Sequence, residues 1–432
     1  MLDGLRDRVA GSLWVIPGGF AVWALISGSL LSLVRPAPAS FWYSFVFQGS
    51  SADARSLLST ISSTIVTVIA LMLGLTVVAL QMSSTQFSPR LLRHFLRDRP
   101  NQLALGVFVG TFMYATAGLF TVGVGAHAAD DEYPRLAVSG ALLWLFASMA
   151  MVVYFADHVA HSIQVDAIMR AVERSVCRVM AHESSDGFEA MLPEVPAEHV
   201  AVLAARSGYI QAVHPDWVWN SASRRHLHIR LRCGVGEHII AGTVLAWVWG
   251  APADELDLPT VSTALNKAVR VGFERTLEQD FGFGNRQLLD AACKALSPAV
   301  NDPYTALQAI DHLTVVFRQM AARPLGARRI GGDGFSITIP GRRLEDHFVI
   351  LCGLLRRYGG QEPSVMRALL NLLNTCADVT DDQSRLAAIV HESEMIAATA
   401  ERVMGQPEDA ARVRSRADML QEVVTAKLLA AE

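Results

Sequence analysis

The sequence predicts a membrane α-helical protein with four transmembrane helices, joined to a cytoplasmic α+β region in which a small barrel-sandwich-like β domain is followed by a helical domain. Three observations carry this. Four apolar runs free of Asp, Glu, Lys and Arg occupy residues 12–34, 57–80, 102–126 and 136–156. Each exceeds the roughly 20 residues that cross about 30 Å of hydrocarbon. Alternating strand patterns broken by glycine and proline follow at 207–250, and beyond about residue 261 helical periodicity prevails. The divisions that result are 1–156 (four transmembrane helices), 157–198 (juxtamembrane helix and linker), 199–260 (β domain) and 261–432 (helical domain).

Composition sharpens the split. The 432 residues are 51% hydrophobic and 18% charged, and the charge is concentrated outside the apolar runs. A formal net charge of −4 argues against nucleic acid as a partner. Five cysteines (Cys177, Cys233, Cys293, Cys352, Cys376) all follow the last apolar run, with no CxxC spacing; this suits reduced thiols in a reducing compartment.

The first apolar run precedes "RPAPAS", which contains an A-x-A pattern. A cleavable signal has a core of roughly 7–15 residues, so the longer run here predicts a retained helix. Orientation follows from arginine. Arg6 and Arg8 precede the first run, and Arg90, Arg93, Arg97 and Arg99 lie between the second and third; the other connections carry Arg35, Arg55 and Arg135, with Asp130, Asp131 and Glu132 beside the last. Loops rich in Arg stay cytoplasmic. The expectation is a multi-pass protein of the bacterial inner (plasma) membrane with both termini cytoplasmic. In "SPRLLRHFLRDRP", Ser88 caps and Pro89 opens a short helix whose Leu91, Leu92, Phe95 and Leu96 oppose Arg90, Arg93 and Arg97. It reads either as an amphipathic helix in the headgroup layer or as a plain positive loop.

The third run ends in "TVGVG", Thr121–Gly125, one residue away from the potassium-filter string TVGYG. A filter follows a short helix that enters the membrane without crossing it. Here an apolar run long enough to span precedes the pentapeptide, so a helix ending in glycine explains it. In the second run, Ser59, Ser63, Thr67, Ala70 and Gly74 recur at helical spacing as a small, hydroxylated stripe. Such stripes serve close helix packing, or line a path when several copies assemble. No ionisable residue lies within any run, which argues against ion-coupled transport more than against a passive pore.

From Asp157 to about Asp186 an amphipathic helix is expected to continue the fourth run, with Val159, Ile163, Ala167, Val172, Val176 and Val179 on its stripe. His158 and His161 lack a third ligand, so no metal site is expected. The clearest strand spans 226–233, with Leu227, Ile229, Leu231 and Cys233 on one face and His226, His228, Arg230 and Arg232 on the other. That basic face is either ordinary strand surface or an anion contact. The surrounding rhythm resembles a biotinyl/lipoyl-type half-barrel without the modified lysine. In "FERTLEQDFGFGNRQLLDAACKALSPAVNDPYTALQ" one helix is expected to end near Gln279–Asp280, with FGFG as a turn. A second then runs to Leu296, and a third starts with Asp302 as cap and Pro303 as first residue. Arg275, Asp280, Asn301 and Asp302 are expected to converge there, as a structural network or a ligand pocket. "RRIGGDGFSITIPGRR" reads as a hairpin or loop. H-E-x-x-H, P-loop, GxSxG and dinucleotide motifs are absent, so neither an enzyme nor a cofactor is expected.

The strings "SSTQFSPRLL", "LGVFVGTFMYA" and "DFGFGNRQLLDAACKALSPAVNDPYTA" resemble the uncharacterised predicted-membrane-protein family named domain of unknown function 2254. The resemblance covers nearly the whole chain: four helices, the SPRLL loop, an SGY-led β segment and the ALSP/NDP helices. It implies this architecture and no activity, and the family does not characteristically carry TVGVG at that place. Two functions follow as expectations. The first is a homo-oligomer in the lipid bilayer, with the second helix bordering a passive path for a small ion and the cytoplasmic domains assembling or gating it. The second is a membrane-anchored sensor or scaffold that binds a ligand or protein near Arg275, Asp280, Asn301 and Asp302.

Overall fold

A computed structural model describes residues 14–34, 46–86, 99–124, 133–162, 164–182, 187–189, 192–218, 226–250, 257–332 and 334–430. The chain divides into two compact units, Met1–Ala167 and Ile168–Glu432. Arg90, Arg93 and Arg97 lie outside the described residues.

The first unit holds helices α1 (Val15–Leu33), α2 (Ser51–Gln86), α3 (Arg99–Val124) and α4 (Arg135–Ser162). All four are long and apolar enough to cross a membrane. Helix α3 is the hub and touches the other three. It can do so because small residues let large neighbours sit on its backbone. Phe20 lies over Gly106, Trp144 over Gly110 and Leu58 over Gly118; a Cβ at Gly110 would come within 2.8 Å of Trp144. Small-residue contacts of this kind are how helices approach where lipid removes the hydrophobic drive. Some polar groups bond across the helices: the hydroxyls of Thr111 and Ser148 are 2.7 Å apart, and buried Tyr114 donates to Ala137 O at 2.9 Å. Arg55 Nη2 donates to Val122 O at 3.1 Å.

Helix α4 ends at Ser162 and a new helix, α5 (Val165–His182), begins three residues on, so the expected continuous helix is two. Helix α5 buries Met169, Val172, Val176 and Met180, a spacing of three and four that makes one face. Its Glu173 meets His312 Nδ1 at 2.5 Å.

The remaining elements, in chain order, are β1 (Phe188–Glu189), β2 (Val200–Leu203), β3 (Gly208–Val213), β4 (His228–Leu231), β5 (His238–Ile239), β6 (Val244–Trp249), α6 (Leu258–Ala268), β7 (Val269–Gly272), α7 (Phe281–Ala295), α8 (Pro303–Ala321), β8 (Ala327–Gly332), β9 (Phe335–Ile339), α9 (Leu344–Gly359), α10 (Pro363–Ala377), α11 (Gln383–Val403) and α12 (Pro407–Ala430). The strands form an open six-stranded sheet in the order β1-β8-β9-β4-β6-β2 and an open three-stranded sheet β5-β3-β7.

This corrects the barrel-sandwich expectation. Strand β4 does not close a local barrel, because one of its edges takes β9 as a parallel partner (Ile229 opposite Ile337) from far along the chain. The alternation within β4 is as read: Leu227, Ile229 and Leu231 are buried with Val248, Leu265 and Ile337. On the opposite, basic face His228 and Arg230 are committed to the protein itself, while His226 and Arg232 are exposed. His228 stacks on Trp249 and its Nδ1 lies 2.9 Å from Ser336 Oγ. Arg230 lies over Trp247 and donates to Pro193 O at 2.8 Å. The segment at 327–339 is a hairpin.

The helices from α7 onward pack as a bundle, α7 on α8, α8 on α10, α9 on α11 and α11 on α12. Their starts are written in the sequence. Asp280, Asp302, Glu362 and Asp382 each accept a backbone N–H of the first turn, and Pro303 and Pro363 occupy first positions where no N–H is missed.

Candidate functional site

Two groups of residues come forward, one in each unit. In the first, Ser59, Ser63, Thr67, Ala70 and Gly74 all face outward from the four-helix bundle, while Leu58, Ile61 and Ile65 on the other side of α2 are buried in it. Among the described residues the stripe is therefore not packing surface. Its hydroxyls bond back along the helix, Ser63 to Thr60 O at 3.1 Å and Thr67 to Ser63 O at 3.2 Å, so each can face lipid at little cost. The TVGV of the pentapeptide is the last turn of α3, and Thr121 donates to Gly118 O at 2.9 Å. Its carbonyls belong to a helix and not to a carbonyl ring; Gly125 lies outside the described residues.

In the second unit, the chain between β7 and α7 builds one wall of a cleft of about 180 Å³. The expected helix ending near Gln279–Asp280 is absent. Strand β7 and a loop stand there, and FGFG is the first turn of α7, with Asp280 as its cap. The physical reason is the capping carboxylate: Phe283 N donates to Asp280 Oδ1 at 2.9 Å, which fixes a helix start where glycine propensity alone suggests a turn. Arg275 grips the same carboxylate with two bonds, Nε to Oδ2 at 2.8 Å and Nη2 to Oδ1 at 2.9 Å. Its guanidinium lies 5.3 Å from the Phe283 ring centroid. Asp280 is only 6% exposed.

The turn between β4 and β5 rests on this pair. Gly236 has φ +85, and a Cβ there would fall 2.2 Å from Asp280 Oδ2, so the position admits only glycine on both counts. Across the cleft, the first turn of α9 contributes His347, 7% exposed, its ring 5.6 Å from that of Phe281. Its Nε2 is buried and has no hydrogen-bond partner among the described residues. Burial, reinforced by Arg342 and Arg275 and opposed by Asp346, holds its pKa down to about 4, so the ring is neutral near pH 7. Gly282 sits between these groups. A Cβ at that position would lie 3.3 Å from Asp280 Oδ1, 3.3 Å from His347 Cε1 and 3.8 Å from Arg275 Nη2.

The four residues expected to converge do not. Arg275 and Asp280 meet at the N-terminus of α7, whereas Asn301 and Asp302 follow its C-terminus. A helix of 15 residues is about 22 Å long. Asp302 caps α8, accepting from Thr305 N at 3.1 Å and Thr305 Oγ1 at 2.5 Å, bonds that hold its pKa below the usual carboxylate range. Asn301 takes the left-handed conformation (φ 48) that Asn tolerates and closes the connection between α7 and α8. His347 was missed by sequence reasoning. The available signal was its place in the stripe Leu344, Phe348, Leu351, Leu355, a buried face on which a histidine is out of keeping. Among the described residues no group of three or more His, Cys, Asp or Glu is placed to hold a metal.

A family model described as Predicted membrane protein (DUF2254) matches residues 10–375. The chain belongs to this family. Similar proteins include uncharacterised ones of Mycobacterium bovis and Mycobacterium tuberculosis, 37% identical over 434 residues and covering 97% of this chain and 82% of theirs. No solved structure matches. Within the DUF2254 chain, LGVFVGTFMYA lies in α3, and the DFGFG, ALSP and NDP strings fall at the two ends of α7. The DFGFG string builds the cleft wall, and the ALSP and NDP strings build the turn into α8.

Proposed function

We propose that this DUF2254 protein is a membrane-anchored binding protein: the four apolar helices fix it in the bilayer and the second unit takes a small ligand in the cleft between α7 and α9. The carrying observation is the buried, unpartnered Nε2 of His347 beside the Arg275–Asp280 pair. An unpaired buried polar group costs about 1–3 kcal/mol, a cost that a ligand removes by supplying the partner. The reading is one of binding: Asp280 is taken up by Arg275 and the first turn of α7, which leaves His347 to bond a ligand. The excess of arginine in the loop between α2 and α3 supports an inner-membrane orientation with both termini and the cleft in the cytoplasm. A bacterial small-metabolite extract is expected to raise the melting temperature of the purified full-length protein. It should leave unchanged that of Gly282→Leu, whose side chain intrudes where even a Cβ would meet Asp280 Oδ1 and His347 Cε1 at 3.3 Å. Equal shifts in both proteins, or none in either, would sink the proposal.

A second reading is favoured by the outward stripe on α2, which supports self-association of several chains around Ser59, Ser63, Thr67, Ala70 and Gly74, with a passive path for a small ion beside it. Oxidation in membranes is expected to give disulfide-linked dimers of Ser63→Cys and none of Leu143→Cys, which is exposed on α4. Planar-bilayer currents should be blocked in Thr67→Trp. Dimers of neither variant, with silent bilayers, would leave the helices as an anchor.

A further inference from the structure

We infer that the ligand of the cleft between α7 and α9 carries a compact oxyanion, of which inorganic phosphate is the simplest example. This rests on the binding reading above and names its chemistry. Formally the lining balances, with Arg275, Arg328 and Arg342 against Glu237, Asp280 and Asp346. What decides the preference is how each charge is used.

The three carboxylates are turned to the protein. Asp280 holds Arg275 and the first turn of α7, Asp346 accepts from Arg343 N at 2.9 Å, and Glu237 accepts from Gly234 N at 3.0 Å. Two of the arginines are not committed in this way. Neither Arg328 nor Arg342 makes an ion pair among the described residues, and Arg328 Nε is buried without a partner. Arg328 and Arg342 therefore keep N–H donors that no carboxylate among the described residues takes up. Burial keeps the neighbouring His347 neutral, with Arg342 and Arg275 adding to it against Asp346.

Backbone geometry agrees. The first turns of α7 and α9 both face the cleft. A helix N-terminus carries N–H groups without intrahelical partners and the positive end of the helix dipole. Two such ends alone would not make a site. Here the nine-tenths-buried His347 adds an Nε2 with no hydrogen-bond partner among the described residues, its Cε1 edge against Gly282. Gly282 lets the first turn of α7 lie directly against His347, since even a Cβ there would stand 3.3 Å from His347 Cε1 and from Asp280 Oδ1, so a group bonded to His347 also lies beside that turn. A neutral imidazole, two arginines and oriented N–H groups are the recognition set of an oxyanion. A free phosphate compound and the phosphate of a lipid headgroup present the same chemistry.

The test uses the full-length protein in detergent, with binding followed by calorimetry and by melting temperature. The probes are inorganic phosphate, dihexanoyl phosphatidic acid, glycerol and guanidinium. Saturable phosphate binding is expected, weakened at least about tenfold by Arg328→Gln and by Gly282→Ala, and unchanged by Arg206→Gln, which lies in a different pocket. Tighter binding of the short phosphatidic acid identifies a lipid source, and tighter binding of inorganic phosphate a soluble one; both support the oxyanion. Binding of glycerol or guanidinium in place of phosphate, lost in Gly282→Ala, overturns the oxyanion and keeps the cleft as a ligand site. Phosphate binding that neither Arg328→Gln nor Gly282→Ala changes overturns the placement. Absence of binding by all four probes at millimolar concentration overturns the inference, while the extract experiment above still decides the binding reading.

Discussion

Acidification from about pH 6.5 to about pH 4 is expected to cost the second unit about 3 kcal/mol through His347 alone. The sign follows from where the proton binds. In the unfolded chain His347 takes up its proton near the ordinary value of 6.5, whereas in the folded chain it resists until about pH 4. Across that window the unfolded state binds more protons, so stability is complete above the unfolded value and falls as pH drops toward the folded one. A separation of about 2.5 units, at about 1.4 kcal/mol per unit, gives the magnitude. Burial is the first cause, and Arg342 and Arg275 act in the same direction against Asp346. Carboxylates with lowered pKa, Asp302 among them, lose their contribution at lower pH. Comparison with His347→Gln therefore isolates the histidine. Denaturant unfolding of both proteins at pH 7 and near pH 4.5 should show the wild type losing about 2.5 kcal/mol more than the variant. Parallel losses would mean that His347 titrates normally and that the cleft is wetter than the geometry implies.

How far the sequence reveals such a site depends on whether its signals are local. The four apolar helices were legible because each is a run of hydrophobic residues free of charge. The start of α8 was legible because Asp302 and Pro303 state a cap and a first position side by side. The inner face of β4 was legible from the alternation of Leu227, Ile229 and Leu231. What failed was non-local. Nothing in residues 226–233 announces that their sheet partner is at 335–339, so a closed local barrel was the natural and mistaken inference. The start of α7 failed for a subtler reason. Phe-Gly-Phe-Gly has the composition of a turn, and the capping Asp280 outweighs it only because Arg275 and the Gly236 turn hold that carboxylate in place. The same limit explains the site. Of the four residues grouped by the sequence, Arg275 and Asp280 are five residues apart and meet. Asn301 and Asp302 were drawn in by sequence proximity, although a whole helix separates them, and His347 was left out because its neighbours in space are not its neighbours in sequence.

The second large effect is expected at Asp280, where two roles can be separated. Asp280→Ala removes the cap of α7, worth about 0.5–2 kcal/mol, and strands Arg275. Loss of one partner from a fully buried pair costs about 3–5 kcal/mol. Arg275 retains 22% exposure, so part of its charge escapes to water and the lower end of that range applies. The sum is a loss of about 4 kcal/mol, read as a lowered midpoint in denaturant unfolding. Asp280→Asn keeps an oxygen for Phe283 N and removes only the charge, so it should lose about 3 kcal/mol, the ion-pair share of that sum. Arg275→Met combined with Asp280→Ala should recover stability relative to Asp280→Ala alone, since no charge is then left stranded. If Asp280→Asn proves as damaging as Asp280→Ala, the cap contributes nothing and the ion pair alone holds the loop. If the double variant recovers nothing, Arg275 is not stranded at all, and Asp280 serves α7 through its backbone bond. Either result would also bear on the cleft, because Gly236 and Gly282 are shaped around an Asp280 that Arg275 holds still.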